Sequence, residues 1–212
     1  MEHSSAHEIP AAVQDLASIN AIGKRRGDSA IVVVAAILDA LIRLQSRDVD
    51  TISEAQRAIA AARAEQFNSS SNSLPQLNAL IYFADVTCSL LPYDHEQVVK
   101  KMAIMQNYLD QIMSANNWAR DGTFAVPLVQ TTHQNLTPDT GGIFSKDSDG
   151  RDCLTFSWLG RPDVYLIGFL LSGQAVYYRN QSNRGAEKFI AEGLKMTEGM
   201  HSKVTCRVLP PR

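Results

Sequence analysis

SAIVVVAAILDALIRLQ, Ser29 to Gln45, carries only two charges, Asp39 and Arg43, and the way this run folds decides the rest of the chain. Ile31 to Val34 are four β-branched residues in a row, which taken alone favour a strand. The alanines and leucines that follow fall at helical spacing, and Ala30, Val34, Ile37, Leu41 and Leu44 form one stripe. Asp39 and Arg43 stand four apart, the spacing that lets them pair on the less buried side of a helix. Asp28 is placed to cap its first turn. The run is therefore expected to be a central helix on which later helices close, with Asp39 needing Arg43 or another donor if it is buried.

Working towards the N-terminus, Pro10 is expected to open a short helix, with Val13, Leu16 and Ala17 on one face. GKRRGD, Gly23 to Asp28, breaks it in a solvated basic turn. Residues 1–9 read as a disordered lead-in that lacks the basic and apolar pattern of a secretory signal.

Towards the C-terminus, Thr51 and Glu54 have the spacing of a capping box. Ile52, Ala55, Ile59 and Ala62 then give a narrow face of small residues, expected on a peripheral helix. NSSSNS, Asn68 to Ser73, is a linker. Ser73 and Gln76 repeat the capping spacing around Pro75, and Leu77, Leu80, Ile81, Ala84, Cys88 and Leu91 share the next face. Pro92 ends that helix, and Asp94 with Gln97 starts another along Val98, Met102, Met105, Leu109 and Ile112. Ile104, Tyr108 and Met113 widen its stripe, as suits a bundle or a partner surface.

After Asn117 the pattern changes. TFAVPLV from Thr123 reads as an edge strand, because Pro127 cannot donate to an interior ladder. Thr132 to Gly142 is polar loop, and Asp149-Gly150 marks a hairpin turn before a strand over Cys153–Trp158. The acidic residues there do not make a calcium loop: the glycine and glutamate positions of that pattern hold Asp152 and Trp158. Val164–Leu171 and Ala175–Arg179 read as a second hairpin joined at Ser172-Gly173-Gln174, with Gly168 and Gly173 arguing against a helix. A short helix around Phe189 to Met196 and a last strand over Lys203–Leu209 complete the chain. The fold class is α+β: a bundle of four to five helices over residues 10–117, then a small antiparallel sheet with one short helix over 118–212, packed together as one compact unit.

Composition narrows the function classes. With 212 residues, 45% apolar content and a net charge of -2, the chain supports a real core and has no overall attraction to polyanions. The last 32 residues hold six Lys or Arg against three Glu, too small a bias to signal nucleic acid. Three widely spaced cysteines imply no disulfide framework, and no apolar run reaches the roughly 20 residues of a membrane span. A cytoplasmic protein with no membrane insertion is expected. Histidines and cysteines lack metal-site spacing, and no phosphate-binding glycine motif is present, so neither cofactor nor metal is expected.

The leading functional expectation is a non-enzymatic adaptor, chaperone or assembly subunit with a protein partner or self-association, contacting through Met102, Met105, Tyr108, Trp158 and Tyr177. The alternative is a small hydrolase or transferase using His133, Asp139, Asp149 and Cys153, residue types able to supply base, acid and nucleophile but in no specific spacing. A third reading, weak nucleic-acid binding, needs Arg25, Arg26 or Arg179 to join the C-terminal basic residues in one field. The aromatic residues Phe156, Trp158, Tyr165, Tyr177 and Tyr178 are expected to pack across a small sheet.

Overall fold

The computed structural model describes residues 5–45, 48–68, 74–92, 94–114, 118–129, 143–179 and 184–205. Five helices come first: α1 (Ser5–Arg26), α2 (Ser29–Leu44), α3 (Val49–Asn68), α4 (Pro75–Leu90) and α5 (His95–Ser114). A three-stranded antiparallel sheet of β1 (Thr123–Pro127), β2 (Phe144–Lys146) and β3 (Asp152–Ser157) follows, and α6 (Arg161–Arg179) and α7 (Arg184–Thr205) complete it. The α+β class and the initial bundle are thus as the sequence implies, although two long helices follow the sheet where one short helix was expected. None of the described helices is long and apolar enough to cross a membrane.

Each helix packs on its neighbour in sequence, and the even-numbered helices also pack on each other, α2 on α4 and α4 on α6. The apolar run from Ser29 forms helix α2, with Val33, Ala36, Ile37, Ala40 and Leu44 buried. Its most buried line is displaced from the expected stripe, since Ala30, Val34 and Leu41 are only partly covered. The reason is size: alanines let other helices approach closely, and the larger side chains fill the flanks. Asp39 accepts from Arg43 at 2.8 Å, as its spacing implies, and Arg43 also pairs with Glu54.

That pairing takes Glu54 away from the expected capping box. Helix α3 starts at Val49, and the Thr51 hydroxyl donates to the Asp48 carbonyl at 2.7 Å. Nor is α3 peripheral: Ile52, Ala55, Ile59 and Ala62 are 7%, 0%, 2% and 0% exposed. Small residues bury completely because they allow the helix axes to come close. Pro10 lies inside α1, which already begins at Ser5. Ser73 falls outside the described residues; Leu74 occupies the position before α4, with Pro75 in its first turn. The Asp94 carboxylate accepts the Gln97 amide at 3.2 Å, as expected for the start of α5.

Helix α4 is covered on two sides. Leu77, Leu80, Ile81, Ala84 and Cys88 join α2, α3 and β1 in one apolar cluster. Ala79, Phe83, Val86 and Leu90 join α5 and α6 in another. The stripe of α5 therefore closes on α4 and α6, not on α2 as the sequence reading had it.

The sheet has the order β1-β3-β2, so Pro127 does sit on an edge strand. Phe124 pairs with Phe156 across the ladder, their rings stacked at 5.8 Å. The Asp149-Gly150 hairpin forms between β2 and β3, with Gly150 at φ +76°. Asp28 fastens the exit of β1 to the α1–α2 corner. Its buried carboxylate accepts the Val129 amide at 2.5 Å and the Arg26 guanidinium at 2.9 Å, while its side chain makes no cap bond.

The second expected hairpin is one helix, α6. Val164, Gly168 and Ser172 are buried at steps of four, a helical period that the aromatic and β-branched content obscures. The glycines mark crossings. A Cβ at Gly168 would stand 2.8 Å from Leu109, and one at Gly173 would stand 3.3 Å from Ile190 of α7. The expected last strand is corrected likewise: α7 continues to Thr205, and residues 206–209 lie outside the described residues. The expected aromatic cluster divides, with Phe156 in the sheet and Tyr165 and Tyr177 on α6.

Gly122, just before β1, packs against the backbone that leads into α6. It has φ +75°, and an added Cβ would lie 2.5 Å from the Leu159 backbone carbon. Gly150 has the same kind of φ but open space around it. Gly150→Ala is expected to cost about 1–2 kcal/mol from the left-handed backbone alone. Gly122→Ala should cost a further ~1–3 kcal/mol through the backbone clash; urea denaturation of both variants measures the difference.

Candidate partner-binding site

His133 and Asp139 lie outside the described residues. Asp149 occupies the exposed hairpin turn, where its carboxylate accepts from Arg151 at 2.7 Å. Cys153 is 1% exposed on β3, and its thiol donates to the Arg151 carbonyl at 3.6 Å. Burial pushes that thiol above its ordinary pKa, and the neighbouring Asp147 adds to the effect. No hydrogen bond joins Asp149 to Cys153 among the described residues. Among those residues, too, no group of three or more His, Cys, Asp and Glu side chains is placed to hold a metal ion.

Of the expected contact residues, Met102 and Met105 are 6% and 1% exposed and fill the core between α4, α5 and α6. Tyr108 is half-buried, its hydroxyl donating to the Pro75 carbonyl at 3.0 Å and its ring 4.9 Å from Tyr82. Burial, first of all, pushes its pKa up to about 12. Trp158 and Tyr177 are exposed.

Two grooves among the described residues lie between odd-numbered helices. One groove of about 390 Å³ is walled by α1 and α3 over a floor of α2, with Ala17, Ala21, Ala35, Ala58 and Ala61 in its lining and Asp39 and Arg43 at its side. Alanines keep the walls low and smooth. A second groove of about 230 Å³ repeats this arrangement one helix pair further on, walled by α3 and α5 over α4. Arg63 comes from α3, Tyr82 and Asp85 from α4, and Lys100, Lys101 and Ile104 from α5.

The second groove is organised by Asp85, the only charged residue in α4. Its carboxylate is 11% exposed and accepts from Arg63 at 2.5 Å and Lys101 at 2.7 Å. Lys101 also donates to the Ser89 hydroxyl at 2.9 Å, and that hydroxyl donates to the Asp85 carbonyl at 3.3 Å. The Arg63 guanidinium lies 5.8 Å above the Tyr82 ring, a cation–π position that fixes its plane. A buried carboxylate thus tethers two cations in place, and Lys100 and the 45%-exposed Ile104 stand beside them.

None of these residues figured in the sequence reading as a site. One signal was available: Asp85 interrupts an otherwise uncharged helix, as Asp39 interrupts α2, and a buried charge requires partners from neighbouring elements. Those partners, Arg63 and Lys101, stand 22 and 16 positions away on two other helices, so spacing alone could not name them.

Residues 1–210 match the model of a family described as cohesin loading factor. No curated protein and no solved structure matches the chain.

Two measurements test the geometry. Asp85→Ala is expected to lower stability by about 1–3 kcal/mol, as two partly buried cations lose their anion, and Lys101→Met by less because Arg63 still pairs. Cys88, fully buried and pushed up to about 11 by desolvation, and Cys153 should both resist a thiol reagent at pH 8 until the chain unfolds. Mass spectrometry of labelled peptides separates these two from Cys206; fast labelling of native Cys153 would contradict its burial.

Proposed function

The chain belongs to the cohesin loading factor family, and on that premise we propose that it is a non-enzymatic adaptor or assembly subunit that supports cohesin loading by holding a protein partner. The observation that carries this reading is the pair of grooves between α1, α3 and α5. Each is floored by an even-numbered helix. Concave faces between successive helices are the surfaces on which stacked-helix proteins take up their partners. The grooves join side chains of opposite character, smooth alanine walls in one and fixed cations with an exposed isoleucine in the other.

A second surface supports the same reading. Leu170 and Tyr177 on α6, and Ile190 and Leu194 on α7, are about half exposed. Gly173 opposes Ile190 and Gly193 opposes Leu166, so these side chains flank the line along which α6 and α7 meet. Large apolar side chains gathered at a helix-pair surface favour contact with another protein. Trp158 and Tyr177 keep their proposed contact role. Met102 and Met105 belong to the core.

The test is purification of the tagged full-length chain from cells, with co-purifying proteins identified and the hydrodynamic size of the complex measured. Cohesin subunits or another component of the loading machinery are expected at near-stoichiometric amounts. A monomer recovered alone at its cellular concentration would sink the reading.

A further inference from the structure

We infer, building on the partner-binding reading above, that the groove between α3 and α5 receives an extended acidic segment of the partner protein. A carboxylate side chain would lie against Lys100 and Arg63, and an aliphatic side chain against Ile104.

Charge is the first argument. The groove lining contributes Arg63, Lys100 and Lys101 against the single anion Asp85. That carboxylate is already shared between two of the three cations and is 11% exposed, so a ligand meets the cations and not the acid. The whole chain carries a net charge of -2, which makes this cleft a local exception to the charge around it. Lys100 has no ion-pair partner among the described residues. Arg63 remains half exposed although it pairs with Asp85 and lies over Tyr82, so its outer edge is presented outward in a fixed plane. Preorganised guanidinium groups of this kind are suited to carboxylates.

Shape and apolar character argue for a peptide. The volume of about 230 Å³ holds one or two amino-acid side chains, and Ile104 supplies an exposed aliphatic surface next to the cations. A nucleic-acid backbone needs cations spread along its path. Here three are confined to one cleft, and Asp94 and Glu96 stand at the start of the same helix α5.

The experiment uses fluorescence anisotropy with the full chain and short labelled peptides of three compositions: glutamate with leucine, glutamate with serine, and lysine with leucine. The glutamate–leucine peptide should bind most tightly, the glutamate–serine peptide more weakly, and the lysine–leucine peptide not at all. Added salt should weaken binding. Lys100→Glu should reduce affinity roughly five- to tenfold, since it replaces an attraction by a repulsion at a partly exposed site. Lys188→Glu, the same charge change on α7, should leave affinity unaltered. Ile104→Ser provides an uncharged second variant, expected to reduce the advantage of leucine over serine, and circular dichroism checks that each variant is folded.

Equal binding by wild type and Lys100→Glu would overturn the proposal. So would a DNA or RNA oligonucleotide that binds more tightly than the acidic peptide and responds to the same substitution, because the groove would then be a nucleic-acid site. If Lys100→Glu loses the peptide's preference but the tagged chain still recovers cohesin machinery, both readings stand. If the machinery is recovered and the peptide never binds, only the acidic-segment assignment falls.

Discussion

The arrangement depends on the burial of α4 from both sides. Its sequence supplies two apolar faces, one of Leu77, Leu80, Ile81, Ala84 and Cys88 and another of Ala79, Phe83, Val86 and Leu90. A helix with one apolar stripe can end a layer; a helix with two must have neighbours on each side. Helices α2 and α6 supply those neighbours, and the line α2–α4–α6 becomes the spine. Odd-numbered helices then pack on the spine in the gaps left to them, which is why the grooves open between α1, α3 and α5. The same geometry explains the one charge of α4. Asp85 is tolerated because the side of α4 on which it lies is flanked by α3 and α5, whose Arg63 and Lys101 reach it.

Much of this was legible. The helix over Ser29–Leu44, the Asp39–Arg43 pair, the Asp94 start of α5, the edge position of Pro127 and the Asp149-Gly150 hairpin are all local features, set by a few adjacent residues. Two kinds of misreading have a common source. From Val164 to Tyr178, glycine and aromatic residues disfavour an isolated helix and point to strands, yet Gly168 and Gly173 stand where α5 and α7 cross α6. The small side chains of α3 bury little area and point to a peripheral helix, yet they permit close approach and are buried. In both cases a residue's worth was set by what lies opposite it, which sequence neighbours do not reveal.

The candidate site was less legible than the fold for a related reason. Within the stretch near 133–153, Cys153 lies inside and Asp149 outside, so these two do not converge although they stand only four positions apart. The groove formed by Arg63, Tyr82, Asp85, Lys100 and Ile104 draws on three helices, and its members look like ordinary surface residues until the spine is assembled.

The Asp28 clasp has a bearing on the order in which the molecule forms. The contacts among α1 to α5 join elements adjacent or nearly adjacent in sequence, which close quickly because little chain entropy is lost. The Asp28 to Val129 hydrogen bond joins residues 101 positions apart, and β1 must wait for β3 to be paired at Thr123 and Ser157. Chain entropy therefore favours packing of α1 to α5 ahead of the sheet, with the clasp closing onto an α1–α2 corner that is already standing. Slowing at that step would appear in refolding kinetics as a late phase in sheet burial, with the helical signal already complete.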